Sequence, residues 1–214
     1  MSGKERARTF SEPSGPPKLR CTLPRMAAPD APVLLRSGLL EGVSVVVAGP
    51  GSPVAERCVD LGAAAYPLNV DLLDEEALGA VVQALPAAGV LVCDTAPALR
   101  GAADDGAALA EAVAGAFNAT RAIVTARLEP AGGGLVLLIA PRPRDGPLAD
   151  AAAAALENLA RTTSVEWARL GVRVVAVRPR DVTTDAALAD IVAYLASPAG
   201  AYFSGNVLDL GAAG

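Results

Sequence analysis

The stretch Gly-Pro-Gly-Ser-Pro at residues 49–53 is the first place where the sequence suggests binding chemistry. It follows an apolar run over residues 43–48 and precedes a helical pattern over residues 54–61. Glycines between a strand and a helix let backbone N–H groups approach a phosphate at the helix N-terminus. The context is therefore that of a nucleotide-binding loop.

Two interpretations of this loop stay open. In one, Gly49, Gly51 and Ser52 retain a phosphate cradle, although Pro50 and Pro53 supply no backbone N–H where a phosphate needs donors. In the other, the loop is a plain turn from strand to helix. Ser52 then caps the helix and Pro53 is its first residue, a favourable place for proline.

Cys93 stands at the end of an apolar run over residues 89–93, where a nucleophile could be placed. A thiol nucleophile needs a base or a positive neighbour that lowers its pKa. The chain has no His, and its two lysines, Lys4 and Lys18, lie near the N-terminus. We therefore predict that Cys93 is a free thiol without a catalytic role.

Asp145 and Asp150 are the acidic side chains that could act as general acid or base in a reaction of their own. Asp145 ends a polar stretch, residues 142–145, whose two arginines could also bind an anion. The simpler interpretation is that residues 142–145 form a solvated turn and that both acids are loop or helix-start residues.

Alternating strand and helix patterns must position these residues. Apolar runs without polar alternation are typical of parallel strands covered on both faces. Strands are predicted at residues 43–48, 63–70, 89–93 and 134–140, from residue 172, and within 197–214; helices at 54–61, from Asp74, and at 105–128, 147–170 and 186–196. This order predicts a single α/β domain with a Rossmann-like, doubly wound parallel sheet of about six strands and helices on both faces.

The central helix and the strand after it resemble those of the short-chain dehydrogenase/reductase family. The family reads Tyr-x-x-x-Lys-Ala-Ala-Leu-Glu here, and residues 154–157 are Ala-Ala-Leu-Glu. The match continues to Gly-Val-Arg at residues 171–173. In this register Ala149 occupies the position of the family's catalytic Tyr, and Ala153 that of its Lys.

The resemblance extends to the two other catalytic positions of the family. Ala140 stands where relatives carry the catalytic Ser, and Ala112 where they carry a helix Asn. The family's reaction needs a Tyr acid/base whose pKa is lowered by the Lys, and alanine has no group that can exchange a proton. The resemblance thus implies that the catalytic residues are absent.

Cofactor binding is also altered in this comparison. The family's glycine loop is Thr-Gly-x-x-x-Gly-x-Gly, and the loop here is about four residues shorter. One strand–helix unit with an acidic ribose contact is missing relative to the family. Asp71 matches an Asp that borders adenine in relatives, and Thr184 a Thr that approaches nicotinamide. We expect no cofactor; NAD or NADP would bind only if the remnant cleft of Gly49, Gly51, Ser52, Asp71 and Thr184 still holds it. No metal site is predicted.

Composition limits the domain organisation and the partners. Residues 1–33 are predicted to be a disordered, basic, Pro/Ser-rich extension, and residues 34–214 the folded domain. Residues 1–36 hold seven Lys/Arg and three acids. The remaining 11 basic and 20 acidic residues give the rest of the chain a net charge of −9.

An acidic domain argues against nucleic acid as a partner, and no apolar run suits a membrane span. Three cysteines without metal-type spacing suggest a reducing cytoplasm.

The function predicted from these features is that of a catalytically inactive subunit, which assembles with an active short-chain dehydrogenase/reductase and supports it. The resemblance implies contacts through helices 105–128 and 147–170 and through the segment 197–214. A nucleotide- or metabolite-binding sensory module is the first alternative. An NAD(P)-dependent oxidoreductase with relocated catalytic groups is the second.

Overall fold

A computed structural model describes residues 35–211 of the protein. The predicted extension at residues 1–33 and the last three residues of the C-terminal segment lie outside the described part. Within it, six strands form one sheet in the order β2-β1-β3-β4-β5-β6, and every neighbouring pair is parallel. The strands are β1 Ser44–Ala48, β2 Ala64–Pro67, β3 Val90–Asp94, β4 Gly134–Ile139, β5 Val172–Arg178 and β6 Val207–Asp209.

Six α-helices connect the strands: α1 Val54–Asp60, α2 Glu75–Ala84, α3 Ala96–Leu99, α4 Asp105–Ile123, α5 Ala149–Glu166 and α6 Asp185–Ala196. A π-helical turn, Val124–Leu128, continues α4, and short 3₁₀ turns cover Pro143–Asp145, Ala168–Leu170 and Pro198–Tyr202. The predicted doubly wound fold with six strands is confirmed. The short α3 and the π-helical turn were not predicted.

Alternate residues of each strand face two separate hydrophobic cores. On one face of the sheet, Val46 and Leu91 pack with buried residues of α2, α4 and α5. On the other face, Val45 and Val92 pack with buried residues of α1 and α6. Because both faces of these strands are covered, the strand sequences are continuous apolar runs rather than alternating patterns.

Side-chain caps and glycines set the ends of the helices. Asp74 accepts a hydrogen bond from the backbone N–H of Ala77 at 3.0 Å, as predicted for the start of α2. Asp104 caps α4 in the same way through Gly106 and Ala107. Gly171, with φ of 71°, reverses the chain between the 3₁₀ turn after α5 and strand β5.

The order of the strands reverses between β1 and β3. The chain runs outward from β1 to β2, then crosses back to β3 and continues to β6. In open α/β sheets, ligands bind outside the carboxyl ends of the strands at such a reversal. The fold itself therefore directs attention to the loops that follow β1 and β3.

Candidate functional site

A cavity of about 490 Å³ lies at this reversal, between the carboxyl ends of β1 and β3. Loops after β1 and β2, the short helix α3 and one face of α4 close it. Its walls are formed by Ala48, Gly49, Pro50, Leu68, Val70, Asp71, Leu72, Leu73, Cys93, Asp94, Thr95, Pro97, Ala98, Glu111, Ala112 and Ala116. The size is in the range of small-molecule sites.

Gly49 joins the glycine loop tightly to the end of β3. Its φ is 124°, and a Cβ atom at this position would lie 2.5 Å from the backbone oxygen of Asp94. Only glycine allows the loop backbone at residue 49 to approach the backbone of Asp94 this closely. Gly51 also has a positive φ, of 70°, but its surroundings are open.

Ser52 does not cap α1. The N-cap residue is Pro53, no side chain makes a capping hydrogen bond, and the helix begins at Val54. The Ser52 hydroxyl is instead buried without a hydrogen bond of standard geometry, although it lies near enough to the carboxylate of Asp94 to lower the pKa of that group. The predicted Ser52 cap is therefore wrong, because the side chain turns inward toward Asp94.

All four positions matched to the family's catalytic residues are buried. Ala112 is 4% exposed, and Ala140, Ala149 and Ala153 are each 1% exposed. Ala112 and Ala149 pack with Leu99 in a small apolar cluster. Ala140 and Ala153 belong to the larger core beneath α4 and α5. These positions are part of the packed interior rather than of an open cleft, although Ala112 also borders the cavity.

The loop at residues 142–145 is solvated only at Pro143 and Arg144. Arg142 is 3% exposed and Asp145 is 8% exposed, and an Asp145 oxygen accepts a hydrogen bond from the Arg142 backbone N–H at 2.7 Å. Arg142 also donates to Asp185 at 2.6 Å, and Arg100 donates to Asp145 at 2.8 Å. The prediction of a solvated turn is wrong for Arg142 and Asp145, because long-range ion pairs neutralise their charges and allow their burial.

Ion pairs also engage the two aspartates considered as acid/base groups. Asp145 is held by Arg100, as described above. Asp150 accepts a hydrogen bond from Arg178 at 2.8 Å, and Arg178 also contacts Glu157 at 3.1 Å. Both aspartates thus have a structural role as ion-pair partners, in agreement with the simpler interpretation of their position.

Burial shifts the pKa values at the end of β3. It raises the pKa of the Cys93 thiol to about 12, so the thiolate that a nucleophile requires does not form near neutral pH. Burial also raises the pKa of Asp94. The hydrogen bond from the Ala96 N–H, the nearby Ser52 hydroxyl and the charges of Arg100 and Arg142 act in the opposite direction and only partly offset it. Cys58 is likewise buried, with a pKa of about 11.

The structure places the remnant cofactor contacts in separate locations. Gly49 and Asp71 line the same cavity. Thr184 is an exposed N-cap of α6, accepting from the Ala187 N–H at 3.1 Å, and borders a different surface depression beside Asp209. Gly51 and Ser52 line neither of them.

The residues present do not fit an NAD(P) cofactor. Pro50 and Pro53 lack N–H groups in the loop, and the carboxyl group of Asp94 lies beneath it. The polar side chains of the cavity wall include acidic groups, and no Arg or Lys of residues 35–211 lines it.

Within residues 35–211, no group of three or more His, Cys, Asp or Glu side chains is arranged to hold a metal ion. None of the helices described is both long and apolar enough for a membrane span.

Solved structures with the same fold include several short-chain dehydrogenases. A short-chain dehydrogenase from Mycobacterium smegmatis superposes with a TM-score of 0.70 at 22% identity over 86% of this chain and 98% of that one. A gluconate 5-dehydrogenase from Burkholderia cenocepacia, in complex with NADP and tartrate, has a TM-score of 0.66 at 19% identity over 80% and 94%. A hydroxysteroid dehydrogenase from Escherichia coli has a TM-score of 0.65 at 18% identity over 83% and 99%.

No protein-family model and no curated protein matches the sequence. The structural similarities nevertheless establish that the chain has the short-chain dehydrogenase/reductase fold. The resemblance first seen in residues 154–173 is thus confirmed at the level of the fold.

Sequence reasoning did not find the ion-pair cluster around Arg142. Its two long-range ion pairs join residues that are far apart in the chain. Arg100 and Asp145 are separated by 45 residues, and Arg142 and Asp185 by 43. Residue type alone does not distinguish a buried arginine from a solvated one. The one local signal is the pair Pro141 and Pro143 on either side of Arg142. A residue that precedes a proline favours extended backbone, so the chain is expected to leave β4 in an extended conformation.

Proposed function

We propose that the protein is a non-catalytic subunit with the short-chain dehydrogenase/reductase fold, which assembles with an active relative and supports it. The observation that carries the proposal is the burial of all four matched catalytic positions as alanines, each no more than 4% exposed. Alanine can neither exchange a proton nor hold a substrate carbonyl. Loss of several cooperating groups removes a mechanism rather than slowing it.

The outer faces of α4 and α5 support assembly. On α4, Ala110, Ala114 and Phe117 are exposed at helical spacing, and Phe117 remains 41% exposed. Small residues allow a second helix to approach closely, and an exposed aromatic side chain is a typical interface anchor.

The outer face of α5 also exposes small and apolar side chains, between polar residues such as Asn158 and Arg161. Ala151, Ala154 and Thr162 are exposed along it, and Val165 near its end is 78% exposed. Apolar side chains left in water on two neighbouring helices would be covered by a partner that carries matching small residues.

Co-purification of the untagged protein from its native source tests this proposal. We expect a complex that contains a second, intact member of the fold, with catalytic Tyr and Lys residues. Dehydrogenase activity should follow the partner, and the purified chain alone should have none. A strictly homomeric species, or cofactor-dependent turnover by the chain alone, would refute the proposal.

A ligand-binding module is the second candidate function, and the cavity of about 490 Å³ at the strand reversal is the observation that favours it. Calorimetry of the purified chain with NAD(H), NADP(H) and adenine nucleotides distinguishes nucleotide sensing from a purely structural role. Saturable heat with one of these nucleotides would favour the sensory module over the structural subunit.

A further inference from the structure

We propose that the cavity at the strand reversal binds an organic cation with an apolar body, of the class of arylalkylamines. The inference goes beyond the proposed subunit function and does not depend on a partner. It rests on the position of the cavity, on its walls and on the sign of the charges that face it.

The position is that of a ligand site by topology alone. The cavity lies at the carboxyl ends of β1 and β3, where the strand order reverses, and Ala48, Gly49, Cys93 and Asp94 line it there. Open α/β sheets bind ligands at this crevice because the loops on either side of it separate. At about 490 Å³, the cavity can enclose a small organic molecule.

Most of the wall is apolar. Leu68, Val70 and Leu72 line one side after β2, and Pro97 and Ala116 lie on α3 and α4. A ring or alkyl body placed among these side chains would leave water, at a gain of roughly 25 cal/mol for each Å² buried.

The polar part of the wall carries one sign of charge. Asp71, Asp94 and Glu111 contribute three carboxyl groups, and no Lys or Arg within residues 35–211 lines the cavity. None of the three takes part in a salt bridge with another described residue. An ammonium group in the cavity would therefore meet Asp71 and Glu111, neither of which forms an ion pair with a described residue.

The two arginines nearest to Asp94 have other partners. Arg100 pairs with Asp145 at 2.8 Å, and Arg142 with Asp185 at 2.6 Å. They affect the Asp94 carboxyl but do not line the cavity. The hydroxyl of Thr95, the remaining polar side chain of the wall, donates to the backbone oxygen of Ile139 at 2.8 Å.

The same features disfavour an anionic ligand such as a phosphorylated nucleotide. Pro50 presents no N–H at the loop, and α1 has only seven residues and begins after a second proline. A phosphate would meet three carboxyl groups, with no Lys or Arg of residues 35–211 in the wall to offset them, and like charges at close range repel. Among ligands of equal size, the acidic wall of the cavity therefore favours a cation over an anion.

Three indole compounds that differ in the charge of the side chain test the proposal by calorimetry on the full chain. They are tryptamine, which is cationic, tryptophol, which is neutral, and indole-3-propionate, which is anionic. We expect tryptamine to bind saturably at about 1 mM or below, and indole-3-propionate at least about ten-fold more weakly. Tryptophol should lie between the two.

Two variants locate the binding. The double variant Asp71→Asn/Glu111→Gln should weaken tryptamine about two- to five-fold and leave tryptophol unchanged, as expected for partly exposed charge pairs. Glu129→Gln, an exposed acid outside the cavity, is the matched control and should change neither. A thermal melt of each variant confirms that it is folded.

Specific outcomes overturn the inference. One is the absence of saturable tryptamine binding up to about 5 mM. Another is binding of indole-3-propionate as tight as that of tryptamine. The third is an equal change of tryptamine affinity in the cavity variant and in the control variant. The first result excludes this ligand class, and the other two show that the carboxylates do not select the ligand.

Discussion

Ala153 and Ala154 are neighbours on α5 with opposite surroundings. Ala153 is 1% exposed and packs in the core beneath the helix, whereas Ala154 faces solvent. A Lys at position 153, as in the family that the chain resembles, would have to place an ammonium group among apolar side chains. The two positions thus test whether the former catalytic face of α5 is a cleft or a packed interior.

We predict that Ala153→Lys lowers the free energy of unfolding by more than about 3 kcal/mol, because it combines overpacking with burial of an unpaired charge. The matched change Ala154→Lys should alter stability by no more than about 0.5 kcal/mol, since Ala and Lys both favour helices. Urea titration of both variants measures the difference. Equal stabilities would mean that an open cleft persists at position 153.

Asp94 provides a second prediction at the level of single residues, because burial raises its pKa above the ordinary value of 3.8. A raised pKa means that the folded state holds the proton more tightly than the unfolded state does. The contribution to stability is then fully present below the ordinary pKa and is lost as the pH rises through the raised value.

We therefore expect Asp94→Asn to be more stable than the wild type at neutral pH, with a gap that closes as the pH falls below about 4. Asp209 is the control of opposite sign, because its hydrogen bond with Arg180 lowers its pKa to about 2. Asp209→Asn should slightly reduce stability at neutral pH, and this effect should fade only in strong acid. Denaturant unfolding at several pH values measures both; a gap for Asp94→Asn that does not change with pH would contradict the assignment.

Single-residue environments were the part of the site that sequence could predict least. The alanines at 112, 140, 149 and 153 could be placed because a motif fixes their register. The burial of Arg142 could not, because its partner Asp185 is 43 residues away. Ser52 had the right type and position for a cap, but its hydroxyl turns toward Asp94, which sequence does not place beside it.

At the scale of elements, strands and long helices follow directly from the sequence. A parallel strand covered on both faces is apolar at nearly every position, and β1, β3, β4 and β5 accordingly lie within a residue or so of the predicted runs. The four-residue helix α3 is too short to show a helical period. The loop after β1 has a length and composition that sequence reveals, but its contact with Asp94 depends on how two strands pair.

This contact leads to a prediction for the loop that joins β1 to α1. Gly49→Ala should destabilise the fold by more than about 2 kcal/mol, because it combines a positive φ with a close contact to the Asp94 backbone. Gly51→Ala shares the positive φ but has open space around it, and should cost only about 1 kcal/mol.

Chemical denaturation of the two glycine variants gives the comparison. If Gly49→Ala were no more costly than Gly51→Ala, the loop would be free to move away from β3. The cavity wall formed by Gly49 and Pro50 would then not be rigid.

At the scale of the whole molecule, two cores cover the faces of the sheet, while α4 and α5 still expose apolar side chains among their polar ones. Phe117 is 41% exposed although Ala112, Ala116 and Ile123 of the same helix are buried. A charged side chain at this position would be compatible with the folded monomer, because part of the side chain already contacts water. It would oppose an interface that must remove this surface from water.

We predict that Phe117→Glu weakens assembly with the partner, or with a second copy, by at least ten-fold, equivalent to about 1.4 kcal/mol. Its free energy of unfolding should change by less than about 1 kcal/mol, because the side chain is partly exposed. Val182→Glu, at a loop position that is 71% exposed, is the matched control and should leave assembly intact. Sedimentation velocity and native co-purification measure both variants; an unchanged complex with Phe117→Glu would place the interface on another face of the molecule.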